Sequence, residues 1–502
     1  MKIKLKKILA AVFALTLFTG ILTSCSRGGN NTTTTGSYTT LQALGPEDNT
    51  WRNGLPSNES STVTDVYKTE TQVSKTVLNG ISLDKATAFG SSGNDMFARV
   101  VATPDGGFAA TGIFGAANGD CKKANPAWQG TKGMLVKYDK SSRVEWSAFL
   151  GGDNGVEFNA LARLADGSYI VVGDTQSSDL GVKLGQGLQA LMVKYSSSGS
   201  LVWTKLVGGS KGQYFSSVAA TPDGGYVAGG KTESSNGDFA GLKPDSIKAV
   251  LIKYDSDGSP RWKRALSGTM HNNFENIAVN SNGDIFAGCL TMSDDGDFKT
   301  LAGRGQTDSV IFKYDRSGNF KWAEPISGSG IDEMTSVAPS PDGGCVVAGR
   351  YSINIKNDGS FKTFFNAGGF DAFMMKFNSD GTIGWAKPFA GFLDDRFTGI
   401  TAVNGGYALV GATESNNRDF QAIGNLGLQD GFLLLINELG DTVNLTALAG
   451  TKDDMPRAAS CLNGYTVFVV GGTMSEDHTF ARLKPAADGT YNAFTAAFST
   501  SF

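Results

Sequence analysis

Residues 215–268 read FSSVAATPDGGYVAGGKTESSNGDFAGLKPDSIKAVLIKYDSDGSPRWKRALSG. Three features mark this unit: the turn Thr221–Tyr226, the pair Lys253-Tyr254 and Trp262. The pair returns at Lys137-Tyr138, Lys194-Tyr195, Lys313-Tyr314 and Lys376-Phe377, and the Trp returns at Trp146, Trp203, Trp322 and Trp385. The period is therefore 57 to 63 residues, which is typical of a repeat domain built from one supersecondary unit per copy.

Each copy has the composition of four short strands. In residues 215–268 the runs 215–221, 226–231, 249–254 and 261–266 are rich in Val, Ile, Tyr and Phe and are bounded by Gly, Asp, Asn and Pro, as strands usually are. Asp-Gly-Gly joins the first two runs and Asp-x-x-Gly the last two. Both sequences favour hairpin turns, because Gly, Asn and Asp tolerate a positive φ.

Seven such copies predict an all-β, seven-bladed β-propeller with four antiparallel strands per blade. The predicted blade repeats are 89–150, 151–207, 208–266, 267–326, 327–389, 390–449 and 450–502. The seventh copy has only three strands, and residues 81–89 align with the missing fourth. We expect this N-terminal strand to complete the last blade and close the ring, which removes free sheet edges.

The repeated Thr-Pro-Asp-Gly-Gly-Tyr and Lys-Tyr-Asp-x-x-Gly-x-x-x-Trp sequences resemble the bacterial seven-bladed propeller repeats called SBBP, which are common in secreted and surface proteins. The resemblance covers Ile81 to Phe502. It implies the fold and says little about activity. Copy six departs from the pattern, with Asn437-Glu438 in place of Lys-Tyr and Asn444 near the expected Trp.

The N-terminus has the layout of a secretory signal, with Lys2, Lys4, Lys6 and Lys7 followed by an apolar run from Ile8 to Leu22. The next residues, Leu22-Thr23-Ser24-Cys25, resemble the lipobox of bacterial lipoproteins. That resemblance implies cleavage before Cys25 and lipidation of its thiol, including a fatty-acid chain such as palmitate. We predict a signal peptide at 1–24, a lipidated N-terminus with a flexible polar tether at 25–72, and a propeller at 73–502.

The predicted location follows from this anchor: the bacterial cell envelope, and the outer membrane if the host is Gram-negative. Two or more acyl chains hold a protein on a membrane without a spanning helix. The formal net charge is −4, and it becomes −8 when the first 24 residues are removed. This acidity disfavours nucleic acid, whose binding requires a basic face. We predict a monomer attached to the membrane through its lipid.

Catalytic residues and cofactors are not predicted. The chain has two His residues, His271 and His478, which lie in different copies without metal-ligand spacing. Five Cys residues show neither a disulfide framework nor paired metal-ligand spacing. Cys289 and Cys345 occur in strand-like runs, and we expect both to be buried free thiols.

Two series of carboxylates leave alternatives open. Just before the first strand of several blades stand Asp95, Asp332, Asp395 and Asp454. These are candidates for a ring that holds a cation such as calcium at the channel mouth, or they accept hydrogen bonds from local backbone amides. The second series lies between strands two and three and either forms calcium loops or satisfies turn amides; it comprises Asp120, Asp179, Asp238, Asp297 and Asp419.

Ligand binding is expected on one face of the propeller. The long, varied loops between strands two and three emerge beside the connections between blades, and variable loops on a rigid scaffold usually carry binding. On this loop face we single out Trp128, Lys122, Lys123, His271 and Asn272. The sequence favours a non-enzymatic binding or scaffold module for a protein or a glycan. The alternatives are a metal- or quinone-dependent enzyme at the channel mouth and a purely structural envelope lipoprotein.

Overall fold

The structure, a computed structural model, describes residues 80–183, 187–243, 246–301, 305–352, 359–481, 483 and 489–501. The predicted signal peptide, Cys25 and the predicted tether lie outside these residues. Within them, every helix is too short to cross a membrane.

The described residues form strands and a few short 3-10 turns. The strands in chain order are β1 (Ile81–Phe89), β2 (Met96–Ala102), β3 (Phe108–Phe114), β4 (Gln129–Tyr138), β5 (Val144–Gly152), β6 (Val156–Arg163), β7 (Tyr169–Thr175), β8 (Gln189–Tyr195), β9 (Leu201–Val207), β10 (Gln213–Ala220), β11 (Tyr226–Thr232), β12 (Ile247–Tyr254), β13 (Pro260–Gly268), β14 (Asn272–Val279), β15 (Ile285–Thr291), β16 (Asp308–Tyr314), β17 (Phe320–Ile326), β18 (Asp332–Pro339), β19 (Cys345–Tyr351), β20 (Asp371–Phe377), β21 (Ile383–Phe389), β22 (Asp395–Val403), β23 (Gly406–Thr413), β24 (Asp430–Asn437), β25 (Thr442–Leu448), β26 (Asp454–Leu462), β27 (Thr466–Thr473) and β28 (Asn492–Thr500).

The 3-10 turns occupy equivalent places between the second and third strands of the blades. They are Gly119–Cys121, Ser178–Leu180, Gly237–Phe239, Gly296–Phe298, Gly359–Phe361, Arg418–Phe420 and His478–Phe480.

The strands pair into seven four-stranded antiparallel sheets, which are the seven blades. Blades 1 to 6 each use four consecutive strands, from β2–β5 to β22–β25. Blade 7 has the order β1-β28-β27-β26, so the N-terminal strand is its outermost strand. The predicted seven-bladed propeller and its ring closure are therefore confirmed.

The first strand of each blade lies innermost, around a central channel. Each of these seven strands contacts the first strands of both neighbouring blades, so that together they form a closed ring. Each also carries a β-bulge at the same place, where one residue has no partner in the second strand; these residues are Ala98, Asn159, Ser216, Glu275, Thr335, Thr398 and Arg457.

Several bulge residues connect one blade to the next. Asn159 donates a hydrogen bond to the carbonyl of Phe215, 3.0 Å away, in the following blade. Thr335 and Thr398 likewise donate to carbonyls of the next inner strand at 2.7 Å. A β-bulge re-aims a side chain within a strand, and here the extra residue ties neighbouring blades together along the channel.

The hydrophobic core is divided among the interfaces between blades. Seven clusters of buried apolar side chains each combine residues from two adjacent blades. Between blades 1 and 2, for example, Leu135 and Ala109 pack with Phe158 and Val171. Sheet-on-sheet burial of this kind is the main stabilising contribution in a propeller.

The repeated Trp side chains pack between blades. Each Trp lies against the turn between the third and fourth strands of the following blade, where the Gly has a positive φ and leaves no room for a Cβ. Trp146 lies against Gly199 in this way, and Trp385 lies against Gly440. Trp322 and Trp385 also donate from Nε1 to a carbonyl of that turn at 3.0 Å.

The repeated Lys pairs with the turn between the first two strands of its own blade. Its ammonium lies close to the Asp of the Asp-Gly-Gly turn or its equivalent; the Nζ-to-carboxylate distances are 2.8 Å for Lys137–Asp105, 3.4 Å for Lys194–Asp166, 3.0 Å for Lys253–Asp223, 3.3 Å for Lys313–Asp284 and 2.6 Å for Lys376–Asp342. These lysines are mostly buried while the carboxylates stay partly exposed. The Lys is therefore part of the scaffold.

The alignment of copy six requires a correction. In blade 3, Lys253 pairs with Trp262 across the third and fourth strands. The equivalent partners in blade 6 are Leu435 and Asn444, so Leu435-Ile436 replaces the Lys-aromatic pair. The sequence alignment, which put Asn437-Glu438 in place of the Lys-aromatic pair, was therefore wrong by two residues. Its placement of Asn444 at the Trp position was right.

The cysteines of the described residues are free thiols. Cys121, Cys289 and Cys345 are buried, and Cys461 is partly buried. The expectation for Cys289 and Cys345 is confirmed. Burial raises the pKa of both thiols, so neither has the thiolate character of a reactive cysteine.

Candidate functional site

The loop face is held together by short polar side chains that bind backbone amides. In blade 6 the amide of Ala390 donates to Asp419 at 2.8 Å, that of Phe392 to Asn417 at 3.0 Å, and that of Leu393 to Ser415 at 3.0 Å. The loop between the second and third strands thereby fixes the connection that enters its own blade. This arrangement positions the loop face rigidly.

The second carboxylate series belongs to this arrangement. Each of its members accepts a hydrogen bond from an amide of the incoming connection: Asp120 from Gly90, Asp179 from Asp153, Asp238 from Gly208, Asp297 from Ser267 and Asp419 from Ala390. Ser360 and Thr479 accept the equivalent bonds in blades 5 and 7. The geometry therefore favours amide capping over calcium loops for this series.

The first series is buried rather than gathered at a water-filled mouth. Asp95, Asp332, Asp395 and Asp454 are each at most 1% exposed. Each accepts a bond from an amide four residues earlier, at 2.5 to 2.6 Å. Among the described residues, three or more His, Cys, Asp or Glu side chains nowhere come together as metal ligands would. The four carboxylates are thus distributed, one to a blade.

These carboxylates lie on the seams between blades. Their own amides donate to the preceding blade, for example from Asp395 to the carbonyl of Phe370 at 2.8 Å and from Asp454 to that of Gln429 at 2.8 Å. This bond places each of these Asp residues beside the residue that begins the third strand of the preceding blade. In blades 2 and 3 the equivalent residues, Gln213 and Gln189, hydrogen-bond directly at 2.6 Å.

At three later seams both members of the pair are Asp. The pairs are Asp308 with Asp332, Asp371 with Asp395 and Asp430 with Asp454, and all six side chains are buried. Burial, with repulsion from Asp371, raises the pKa of Asp395 to about 7. The pKa of Asp454 is raised to about 7 by burial, with repulsion from Asp430. Buried carboxyls that repel one another favour the protonated form.

The predicted ligand residues lie on the loop face but do not form one cluster. Lys122 and Lys123 are exposed, and Trp128 is half-buried against Gly151 in blade 1. His271 is half-buried in the connection that enters blade 4, where burial and nearby Lys231 lower its pKa to about 4.

Asn272 is a correction to this set. It is fully buried, donates to the carbonyls of Ile247 and Met270 at 3.0 Å, and accepts a bond from Thr291 at 2.6 Å. Its place at the start of an inner strand makes it a seam residue like Asp395, so its amide group is not available to a ligand.

The most unusual residue of the loop face is Arg418, which was not singled out from the sequence. It begins the 3-10 turn of blade 6 with a φ of 51°. Blades 1, 3, 4 and 5 have Gly at this position, with φ between 53° and 60°. In those blades a Cβ would approach a carbonyl oxygen of the incoming connection to 2.5 Å or less.

Blade 6 accommodates the larger residue by loosening a hydrogen bond. Next to the Gly, the amides of Asp120 and Asp238 donate to a backbone carbonyl of the incoming connection, at 2.9 and 3.0 Å. Next to Arg418, the equivalent bond from Asp419 to Ala390 is 3.4 Å. Blade 7 has His478 at this position, with a φ of 49° and a bond of 3.2 Å. A side chain in the left-handed region costs roughly 1–2 kcal/mol.

Arg418 sits between two exposed aromatic rings. Its guanidinium lies 4.8 Å from the ring centroid of Phe365 and 4.7 Å from that of Phe392. Phe365, Phe392 and the adjacent Leu393 are 49%, 54% and 53% exposed. We call these four residues the Arg418 patch. Further along the loop that carries Arg418, Leu426 and Leu428 are also exposed.

Comparison with known proteins finds a curated relative over part of the chain. A 208-residue segment, 40% of this chain, is 28% identical to the regulatory protein FlaEY of Caulobacter vibrioides, of which it covers 21%. The match thus spans about a fifth of that relative's length. No family model matches the chain, so the resemblance to SBBP repeats stays a prediction.

Solved structures similar to the chain include enzymes and non-enzymes. The structure of YCF48 bound to D1 peptide has a TM-score of 0.41 at 9% identity, covering 83% of this chain and 97% of that one. The PQQ-bound aldose sugar dehydrogenase of Streptomyces coelicolor has a TM-score of 0.36 at 12% identity, covering 84% of this chain and 98% of that one.

Proposed function

We propose that this protein is a non-enzymatic binding module of the bacterial cell envelope, anchored through Cys25, which captures a protein partner with the Arg418 patch of its loop face. The lipid anchor rests on the lipobox-like sequence. The binding role rests on one observation: a strained arginine held between two exposed phenylalanines.

The strain is informative because the scaffold does not require it. Where Gly stands at the equivalent position in blades 1, 3 and 5, the adjacent hydrogen bond is 2.8 to 3.0 Å long. Backbone strain that the fold does not need is concentrated at functional sites. The residue that replaces Gly here presents a guanidinium on the surface, where Arg and aromatic side chains are enriched in protein interfaces.

The chemistry of the patch favours a protein over a glycan. Phe365, Phe392 and Leu393 present apolar area on adjoining loops. Contiguous apolar area on a soluble surface marks sites of association with other proteins or membranes. A partner with apolar side chains and a carboxylate to pair with Arg418 would be complementary to it.

The experiment begins by identifying the partner in place. A photo-crosslinking amino acid is introduced at Phe392, and at exposed Val202 of the outer strand β9 as a control. We expect a specific protein adduct from position 392 that position 202 does not give. The purified partner is then tested for binding to the wild-type chain, to R418G, to F392S and to H478G.

R418G and F392S should each weaken binding at least tenfold, since hot-spot residues typically contribute about 2 kcal/mol or more. H478G is the matched control, because it relieves the same backbone strain outside the patch. Equal affinity of all four proteins would refute the proposal. Adducts with glycan alone at position 392 would also refute it, in favour of a glycan-binding module.

A further inference from the structure

The central channel contains a cavity that the binding role on the loop face does not use. Its volume is about 140 Å³, and its lining comes from all seven inner strands. It holds two charged side chains, Arg99 of β2 and Arg457 of β26, and no acid. Blades 1 and 7 are neighbours, so these two guanidinium groups lie on adjacent inner strands.

Both arginines are half-buried in the wall of the channel. Burial lowers the pKa of each, and repulsion from Arg457 lowers that of Arg99 further. An arginine nevertheless keeps its charge at neutral pH, because its ordinary pKa exceeds 12. Two like charges in a narrow channel therefore create a strongly positive potential inside the cavity.

The acid that faces Arg99 only partly offsets this potential. Glu275 of β14 is coupled to Arg99, but burial and repulsion from Glu333 raise its pKa to about 7. At neutral pH a fraction of Glu275 is protonated and carries no charge. Glu275 is also absent from the cavity lining, so an anion placed between the arginines would not meet it directly.

Hydroxyl groups of the lining supply further donors. Ser217 and Ser336 each accept a hydrogen bond from a backbone amide of the next blade, at 3.1 Å. A serine hydroxyl that accepts such a bond keeps its own O–H proton for another acceptor. The cavity therefore combines two guanidinium groups with hydroxyl donors, which suits a carboxylate.

An apolar collar lies next to these donors. The lining includes, at the same position of successive inner strands, Val100, Leu161, Val218, Ile277, Val337, Ile400 and Ala459. Inorganic oxyanions have nothing to place against such a collar, whereas a short alkyl chain does. A cavity of this size holds a few water molecules, each of about 30 Å³ in the liquid, or one small organic acid.

We propose that the channel binds a small organic acid, with its carboxylate between Arg99 and Arg457 and its short apolar tail against the aliphatic collar. The site is separate from the Arg418 patch and does not depend on it. The ligand class is an unbranched monocarboxylate of about two to five carbons, as limited by the cavity volume.

The test is calorimetric titration of the wild-type protein with acetate, butyrate, sulfate and inorganic phosphate, each at constant ionic strength in chloride. We expect saturable binding of butyrate, tighter than that of acetate by up to about fourfold per added methylene. Sulfate and phosphate should bind more weakly than butyrate. No saturable binding of butyrate beyond the chloride background would overturn the proposal.

Two sets of variants locate the site. R99Q/R457Q should abolish butyrate binding, whereas R143Q/R261Q, which removes the same charge from exposed arginines, should bind as the wild type does. If R99Q/R457Q fails to fold, R99K/R457K replaces it; lysine keeps the charge without the planar fork, and affinity should fall at least threefold. Unchanged binding by the channel variant that folds would rule the site out.

Discussion

At the scale of single residues, the blades differ at the position that begins the 3-10 turn. In some blades this residue serves only the backbone conformation, and in others it also carries a side chain. Gly119, Gly237, Gly296 and Gly359 take the left-handed conformation there without a Cβ, while Arg418 and His478 take it with one. The lengthened amide bonds beside Arg418 and His478 show where the strain is absorbed. Arg418 and His478 thus occupy a position where Gly would suit the backbone conformation better.

This substitution leads to a stability prediction. R418G and H478G should each leave the free energy of unfolding unchanged or raise it by up to about 1 kcal/mol, since relief of left-handed strain exceeds the extra entropy of Gly in the unfolded chain. Denaturant titration of the two variants and the wild type measures this. A loss of more than 1 kcal/mol in both variants would contradict the strain argument.

The sequence alone contained part of this information. Aligning the copies places Arg418 and His478 beside the glycines, and it would have identified both as exceptions. It could not show that Phe365 and Phe392 flank Arg418, because they lie about 50 and 26 residues earlier and meet it only when the loops of blades 5 and 6 adjoin. The exposure of an apolar loop residue is likewise decided by the fold.

At the scale of elements, each Lys of a third strand depends on the turn between the first two strands. Lys376 donates to both carboxylate oxygens of Asp342, at 2.7 and 2.6 Å, and to the carbonyl of Phe377 at 3.3 Å. Its side chain is 9% exposed and that of Asp342 is 50% exposed. Blade 6 has Asn404 and Leu435 in these two places and forms the same four strands.

The two halves of this pair should respond unequally to mutation. D342N leaves a buried ammonium without its counter-charge and should cost about 1–3 kcal/mol. K376L leaves an exposed, hydrated carboxylate that still accepts the amide of Gly344 at 2.9 Å, and it should cost less than about 1 kcal/mol. Thermal unfolding of both variants and of D342N/K376L checks this.

The double variant, which imitates blade 6, should be close to K376L alone. A D342N protein as stable as the wild type would show that the carboxylate is not needed.

Sequence reasoning recovered the elements well because the turns are chemically explicit. Asp-Gly-Gly and Asp-x-x-Gly locate both hairpins of a blade, and short runs rich in Val, Ile, Tyr and Phe form the strands between them. It failed in blade 6, where Leu433–Ile436 is a continuous apolar run with no Lys to fix the register. It also missed the Lys–Asp pairs, whose partners lie about 30 residues apart and meet only through strand pairing.

At the scale of the whole molecule, the seams make stability depend on pH. Asp395 and Asp454 have folded-state pKa values of about 7, and Asp95 and Asp371 of about 6, mainly because of burial. All four values lie above the ordinary value of about 3.8. The folded protein therefore binds these protons more tightly than the unfolded chain does.

The stability that protonation of these four carboxyl groups contributes is fully present below about pH 4. It is lost as the pH rises through 6 and 7. We expect the unfolding free energy at pH 8 to be lower than at pH 5.5 by an amount on the order of a few kcal/mol. Denaturant titrations at the two pH values measure the difference. In D395N/D454N, which places amides where blade 4 already has Asn272, this difference should become smaller, and Glu275 and Asp174, whose pKa values burial also raises to about 7, should maintain the rest.

Equal stability at pH 5.5 and pH 8 in the wild type would mean that the seam carboxylates stay ionised throughout this range, held by their amide and hydroxyl donors.

The closing strand also bears on how the chain folds. Thr87 of β1 hydrogen-bonds Thr495 of β28 at 2.7 Å across 408 residues of sequence, whereas the other strand pairs join segments close together in the chain. Contacts between distant segments form slowly, because the ends of a long loop must first meet. During synthesis β1 emerges first and pairs last. Until β28 is made, the nascent protein is an open arc with two unpaired ends, and ring closure is the step at which a chaperone would have most to protect.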